Sequence, residues 1–198
     1  MEKFVVVINR QFGSMGRPIA KKMAEQLNVD FYDRDIIELA AKKIDMPLKE
    51  ASDLEESAAK GAFWQMCFPL GFGSDDKKLK LFEEQRQIII NLGDAKSSII
   101  VGRCSDYILR QHKNLIRIFI YAPEEARVLN CVNYLHMEEK EARKMIKDVD
   151  KARDAYQLQY ANYKQGDFHY NDIIIDSSFL GVCETAKFLS NLVIAKFG

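Results

Sequence analysis

An α/β fold, with a parallel sheet covered by helices on both faces, is what this sequence predicts, and two observations predict it. Short apolar runs alternate with longer stretches of helical periodicity along most of the chain. Several of those runs, "FVVVI", "SIIV" and "DIIID", are apolar on consecutive positions. A strand buried on one face alternates apolar and polar residues, whereas a parallel strand covered on both faces does not. Alternation of such strands with helices gives three layers.

The elements follow in order. Strands are expected over Phe4–Asn9, Val29–Tyr32, Ser97–Gly102, Leu115–Tyr121 and Asp172–Asp176. The first helix spans 18–27, because Ile19, Met23 and Leu27 recur four residues apart and Pro18 suits a first helical turn. Residues 34–44, 75–93, 104–111, 123–135, 138–164 and 179–196 also carry helical periodicity. With 198 residues and no repeat, linker or low-complexity tract, the chain is expected to be a single domain with a sizeable core. An insertion over roughly 45–90 departs from the pattern, and its stretch "GAFWQMCFPLGFGS" (61–74) holds the only Trp, three Phe, three Gly and a Pro. These aromatics either plug a core or line a pocket or partner surface.

Composition excludes some functions. Lys+Arg and Asp+Glu both count 29, so the basic excess of a nucleic-acid binder is missing. No run approaches the ~18 apolar residues of a membrane span, and the N-terminal stretch has too short an apolar run for a signal peptide. Cys67, Cys104, Cys131 and Cys183 form no CxxC pair, and with three scattered histidines they make no zinc site. Reduced thiols in a cytoplasmic protein are the expectation.

Between the first strand and its helix runs "GSMGR". A glycine turn there presents backbone N–H groups at a helix N-terminus, where they and the helix dipole favour phosphate. Gly13 and Gly16 permit the backbone geometry, and Ser14 adds a hydroxyl donor. Arg17 stands where a P-loop lysine would, and its planar fork can take two phosphate oxygens. Aligned on Gly16-Arg17, the pattern GxxxxGK[ST] needs glycine at position 11 but meets Gln11, and neither Pro18 nor Ile19 offers magnesium a hydroxyl. A dinucleotide reading competes, because Asp33 follows Gly13 by twenty residues at a strand end. GxGxxG is absent, however, and Asp33 serves equally well as a helix N-cap.

Ten arginines sit in this neutral chain. Arg17, Arg34 and Arg103 all fall at carboxyl ends of expected parallel strands, the edge where open α/β sheets bind ligands. Together they suit a substrate with several phosphates.

The segments "INRQFGSMGRPIAKKMAEQLNVDFYDRDII", "SSIIVGRCSDYIL", "IRIFIYAPEEAR" and "NDIIIDSS" resemble the cytidylate kinase-like family, a branch of the nucleoside monophosphate kinases. The resemblance spans nearly the whole chain and is weakest around 45–80. It implies a P-loop kinase fold with a five-stranded parallel sheet, a monophosphate-binding insertion and a lid over about 136–165. It also implies phosphoryl transfer from ATP, with magnesium, to CMP or dCMP, in a monomer or homodimer. Carried over by residue, Gly13, Ser14, Met15, Gly16 and Arg17 would bind the ATP phosphates. Asp33, Arg34, Gly102, Arg103 and Asp106 would bind the acceptor nucleotide. Arg143, Lys151 and Arg153 would close from the lid, and Arg17, Arg103 and Arg153 would be catalytic. No residue is expected to hold a metal. "IDSS" resembles the last strand and the turn that helps cradle adenine. Met15 stands where the family usually has glycine, and the loop hydroxyl is lost. The alternative expectation is therefore a nucleotide-binding protein of the same fold with little kinase activity.

Overall fold

The computed structural model describes residues 2–33, Ile36 and 75–198, with side chains in the last range from Leu79 onward. Arg34, Cys67, the expected helix over 34–44, the aromatic stretch 61–74 and most of the expected insertion lie outside the described residues. Five strands form one sheet: β1 (Val5–Arg10), β2 (Asp30–Tyr32), β3 (Ser98–Val101), β4 (Leu115–Tyr121) and β5 (Ile173–Asp176). Six helices are described: α1 (Gly16–Leu27), α2 (Asp75–Ala95), α3 (Ser105–Ile108), α4 (Glu124–Leu135), α5 (Glu139–Ala161) and α6 (Ser177–Phe197). All pairings are parallel in the order β2-β3-β1-β4-β5. β1 therefore has β3 on one side and β4 on the other, a switch point of the kind that opens a crevice at the strands' carboxyl ends.

Burial on both faces explains the unbroken apolar runs of β1 and β3, whereas β5 is an edge strand whose Ile174 is 40% exposed despite its apolar run. Phe4, Val6 and Ile8 point into one cluster, with Ile19 and Met23 of α1 and Leu189 and Val193 of α6. Val5 and Val7 point into the other, with Ile89 of α2 and Ile108 and Leu109 at α3, and Tyr156 and Tyr160 of α5 pack against its edge. Each buried Val or Ile contributes about 1.5–3 kcal/mol, an upper figure because unfolded chains already bury some surface. A third, smaller cluster joins Phe12 of the glycine turn to Val128 and Cys131 of α4 and to Met145, Ile146 and Val149 of α5.

Two expected helices change. The helix over 104–111 is only the four residues of α3, entered through left-handed backbone at Gly102, Arg103 and Cys104 (φ 72°, 63° and 53°). α6 starts at Ser177 and is interrupted at Gly181 (φ 71°, ψ 175°). By length and composition α6 is apolar enough to cross a membrane, which the sequence reading did not anticipate. Its buried Ala186, Leu189 and Val193 pack on the sheet-side core beside α1, so in this fold it is a covering helix.

At the far edge of β4, the Arg117 guanidinium makes two bonds to the Asp172 carboxylate, at 3.1 and 2.9 Å, and the Arg117 N–H donates to it at 2.8 Å. Burial pushes the Asp172 carboxyl up, but these bonds outweigh it and hold the group below its ordinary 3.8. A depressed carboxyl stabilises the fold fully above the unfolded value and loses that contribution as pH falls through the folded one. Asp172→Asn should therefore narrow the stability gap from wild type as pH drops below about 4, measured by urea unfolding across pH 2–7. Parallel curves for the two proteins would refute this.

Candidate functional site

The glycine turn leaves the carboxyl end of β1 at the switch point. Gly13 (φ 76°) and Met15 (φ 58°) are both left-handed. A non-glycine residue there costs roughly 1–2 kcal/mol, and Met15 offsets it by packing its side chain against the α1–α6 cluster. The N–H groups of Gly13, Met15 and Gly16 find no acceptor among the described residues. They are three donors at the start of a twelve-residue helix, the arrangement that favours an anion.

The rest of the turn is braced from behind. Phe12 N–H donates to Asp150 Oδ1 at 2.7 Å, and Asp150 Oδ2 takes Arg127 Nη1 at 2.6 Å. Arg127 also donates to the Phe12 carbonyl, and Asn130 Nδ2 to the Gly13 carbonyl at 2.8 Å. The Ser14 hydroxyl lies 2.9 Å from the Gln11 carbonyl and 3.1 Å from that of Ile120, and it is fully buried. It holds the turn to the sheet. Ser177 Oγ, within the expected "IDSS" turn, reaches the Ser14 carbonyl at 2.6 Å.

Arg10, which the sequence reading passed over, organises the front. Its side chain crosses the two glycines that end the neighbouring elements. A Cβ on Gly16 would lie 2.7 Å from Arg10 Cβ, and one on Gly102 would lie 2.6 Å from its Nη1. Arg10 then reaches Asp33, 3.9 Å from Oδ1, while Arg17 Nε bonds Asp33 Oδ2 at 2.8 Å. Asp33 is thus a buried carboxylate bridging two guanidinium groups at the sheet edge. The cue in the sequence was an arginine closing the central strand with glycines at positions 16 and 102.

A cleft of about 470 Å³ opens beside this edge, lined by Arg10, Gln11, Phe119, Asp150, Arg153, Asp154 and residues 164–169. Arg153 comes from the middle of α5 and donates to the Arg10 carbonyl at 2.9 Å. Burial raises the Asp154 carboxyl above its ordinary value, and the neighbouring Asp150 adds to this against the pull of Lys164.

Other expected residues stand elsewhere. Asp106 is buried, and its Oδ2 accepts from Gln157 Nε2 at 2.8 Å and Tyr163 OH at 2.7 Å. It ties α3 to α5 and the residues just after it beneath the edge. Its Oδ1, like Oδ1 of Asn9, is buried with no partner among the described residues. Arg103 is half-buried and does not line the cleft; its charge opposes the upward push that burial gives the Cys104 thiol and the Tyr156 phenol, so it lies close to α5. Arg143 is held among Glu124, Glu125 and Glu139 at 3.7, 2.7 and 2.9 Å. It fastens the start of α5 to the first turn of α4 on the surface and does not line the cleft. Lys151 is exposed on α5 and is likewise outside the cleft lining.

The described residues offer magnesium no all-protein cage, and an ion bound with ATP needs at most one or two carboxylates beside the phosphate oxygens and water. Among the described residues no three His, Cys, Asp or Glu side chains form a metal cluster. The hydroxyl of Ser14 is spent on carbonyls, and Pro18 and Ile19 have none.

The family model described as "Cytidylate kinase-like family" matches residues 5–179. No curated protein matches the chain. Among solved structures, an uncharacterized protein from Eubacterium ventriosum ATCC 27560 is 24% identical, with a TM-score of 0.72 over 96% of this chain and 98% of that one. The gluconokinase from Sinorhizobium meliloti 1021 superposes with a TM-score of 0.58 at 10% identity, covering 98% of this chain and 94% of its own. Shikimate kinase from Acinetobacter baumannii in complex with shikimate gives 0.54 at 11%, with the same coverage. At these identities the likeness shows the fold, that of the P-loop kinases.

Proposed function

The chain belongs to the cytidylate kinase-like family, and from that premise we propose that it transfers the γ-phosphoryl group of ATP to a pyrimidine nucleoside monophosphate, CMP or dCMP. The observation that carries this reading is the glycine turn at the switch point, with three N–H donors that have no acceptor among the described residues and the Arg10–Asp33–Arg17 cluster beside them. Phosphoryl transfer asks a protein mainly for positioning and charge neutralisation. In this reading the turn amides and Arg17 hold the donor phosphates. Arg10 and Arg153 bring positive charge to the cleft, where the phosphoryl group passes to a phosphate oxygen of the acceptor. Kinases of this fold use magnesium with ATP, and here the ion would come bound by phosphate oxygens and water, without a ligand from the described residues. The lid is α5 with the end of α4, and Asp106, Gln157 and Tyr163 act as its support.

A second reading, a nucleotide binder with little turnover, has its own observation in its favour. Asp150 already sits on the Phe12 amide, and no hydroxyl follows Arg17. ADP release with CMP, dCMP, UMP and AMP, in wild type and Arg17→Ala, separates the two. Acceptor-dependent turnover that Arg17→Ala abolishes supports the kinase, whereas ATP binding without any acceptor-dependent ADP supports the binder.

Arg103 offers a cleaner test of the acceptor side than a simple truncation. Because Arg103 is left-handed, Arg103→Gly removes the guanidinium while easing the turn, whereas Arg103→Ala keeps the strain. If Arg103 contacts the acceptor phosphate, both variants should weaken CMP binding by about 1.5–3 kcal/mol. Arg103→Gly should be the more stable of the two. Calorimetric affinities unchanged in both would confine Arg103 to bracing α5.

A further inference from the structure

The segment joining α5 to β5 is a well-bonded turn that leaves the Phe168 ring largely outside. Asn171 Nδ2 donates to the Gln165 and Asp167 carbonyls at 2.7 and 2.8 Å, and Tyr170 stacks on Tyr163 at 3.7 Å. Gly166 lies flat against Phe119, where an added Cβ would come within 3.0 Å of the ring. His169 is tied to Asp167 through both its N–H and its ring at 3.0 Å. Held this way, Phe168 is 70% exposed, sits 3.9 Å from the His169 ring, and lines the cleft that Arg10 and Arg153 also line.

An exposed Phe gains nothing for the fold, and a turn this well bonded is ordered without it. The cleft mixes three cations, Arg10, Arg153 and Lys164, with three carboxylates, Asp150, Asp154 and Asp167. A trap for phosphate alone would carry one sign. Cations for phosphate, carboxylates for hydroxyl or amino groups and a flat apolar ring are the three chemistries of a nucleotide. We propose that the Phe168–His169 pair is the stacking platform for a nucleotide base whose phosphate is held by Arg10 and Arg153. This rests on the nucleotide-kinase reading and adds to it the group that receives the base. The base comes from the acceptor monophosphate or from ATP, and the two sources are separable.

The test compares wild type with Phe168→Ala, Phe168→Tyr and Phe168→Trp by calorimetry against CMP, ribose 5-phosphate, ATP and tripolyphosphate. Stacking of one base on an aromatic side chain corresponds to roughly tenfold in affinity, within the range seen on truncation to alanine. Phe168→Ala should weaken either CMP or ATP about tenfold, leave the matching base-free compound unchanged, and be rescued by Tyr and Trp. Which nucleotide responds identifies the base. Equal losses for a nucleotide and its base-free partner, or no loss for either nucleotide, overturn the platform. If wild type binds neither CMP nor ATP, the nucleotide reading itself fails and takes the platform with it.

Discussion

Asp150→Ala should destabilise the folded protein by about 3 kcal/mol, the lower end of what breaking a buried ion pair costs. The Arg127 side chain is only 9% exposed and pairs with Asp150 Oδ2 at 2.6 Å, so its charge would be left without its carboxylate. The Phe12 N–H would lose its acceptor at the same time. The lower end applies because Asp150 itself is one-quarter exposed and water can partly replace it. Urea unfolding at constant slope measures the loss. A double variant, Arg127→Met with Asp150→Leu, should be more stable than Asp150→Ala, since removing both charges leaves no buried ion, only the Phe12 N–H and carbonyl to satisfy. A loss below about 0.5 kcal/mol would put the pair in the class of surface ion pairs. ATP affinity should fall with Asp150→Ala as well, because the same carboxylate fixes the entry to the glycine turn.

Gly13→Ala should cost about 2–4 kcal/mol, the sum of left-handed strain and overpacking. A Cβ there would meet the Arg127 carbonyl at 2.9 Å and Cys131 Sγ at 3.1 Å. The first of these is backbone and cannot rotate away, so the turn must lift from α4 and Asn130 must lose the Gly13 carbonyl. Gly13→Ser should cost more than Gly13→Ala, because its hydroxyl adds volume against the same backbone carbonyl. Thermal unfolding of both variants measures the loss. No shift in the melting temperature for either would mean that the turn is free to move off α4.

The strands were legible because each is decided by a local pattern, and the consecutive apolar runs of β1 and β3 match a sheet buried on both faces. The glycine turn was legible for the same reason, as was its place at the carboxyl edge. Arg10 was not, since its importance comes from two glycines, one of them 92 positions along the chain at Gly102, that only the sheet brings together. The partners of Asp106 and Arg143 were not legible either, because a motif says which residue stands near an edge but not which way its side chain turns. Asp106 turns under α5, where Gln157 and Tyr163 wait, and Arg143 is captured by three glutamates. Ser14 was read as a donor to ligand, yet two carbonyls of the turn and of β4 claim it first.

The place of β1 at the middle of the sheet has a consequence for how the chain is made. Its register partners begin at Ser98 on one side and Leu115 on the other. At roughly 5–20 residues per second, the ribosome delivers those partners about 5–20 s after β1 itself. During that interval "FVVVI" is an apolar, β-prone segment with both edges open, the kind that pairs with a neighbouring chain. Glu2, Lys3 and Arg10 flank it with charge, as gatekeepers do. The strand that leads into the glycine turn is therefore the one most exposed to misassembly during synthesis, and chaperone demand should track the rate at which translation reaches β4.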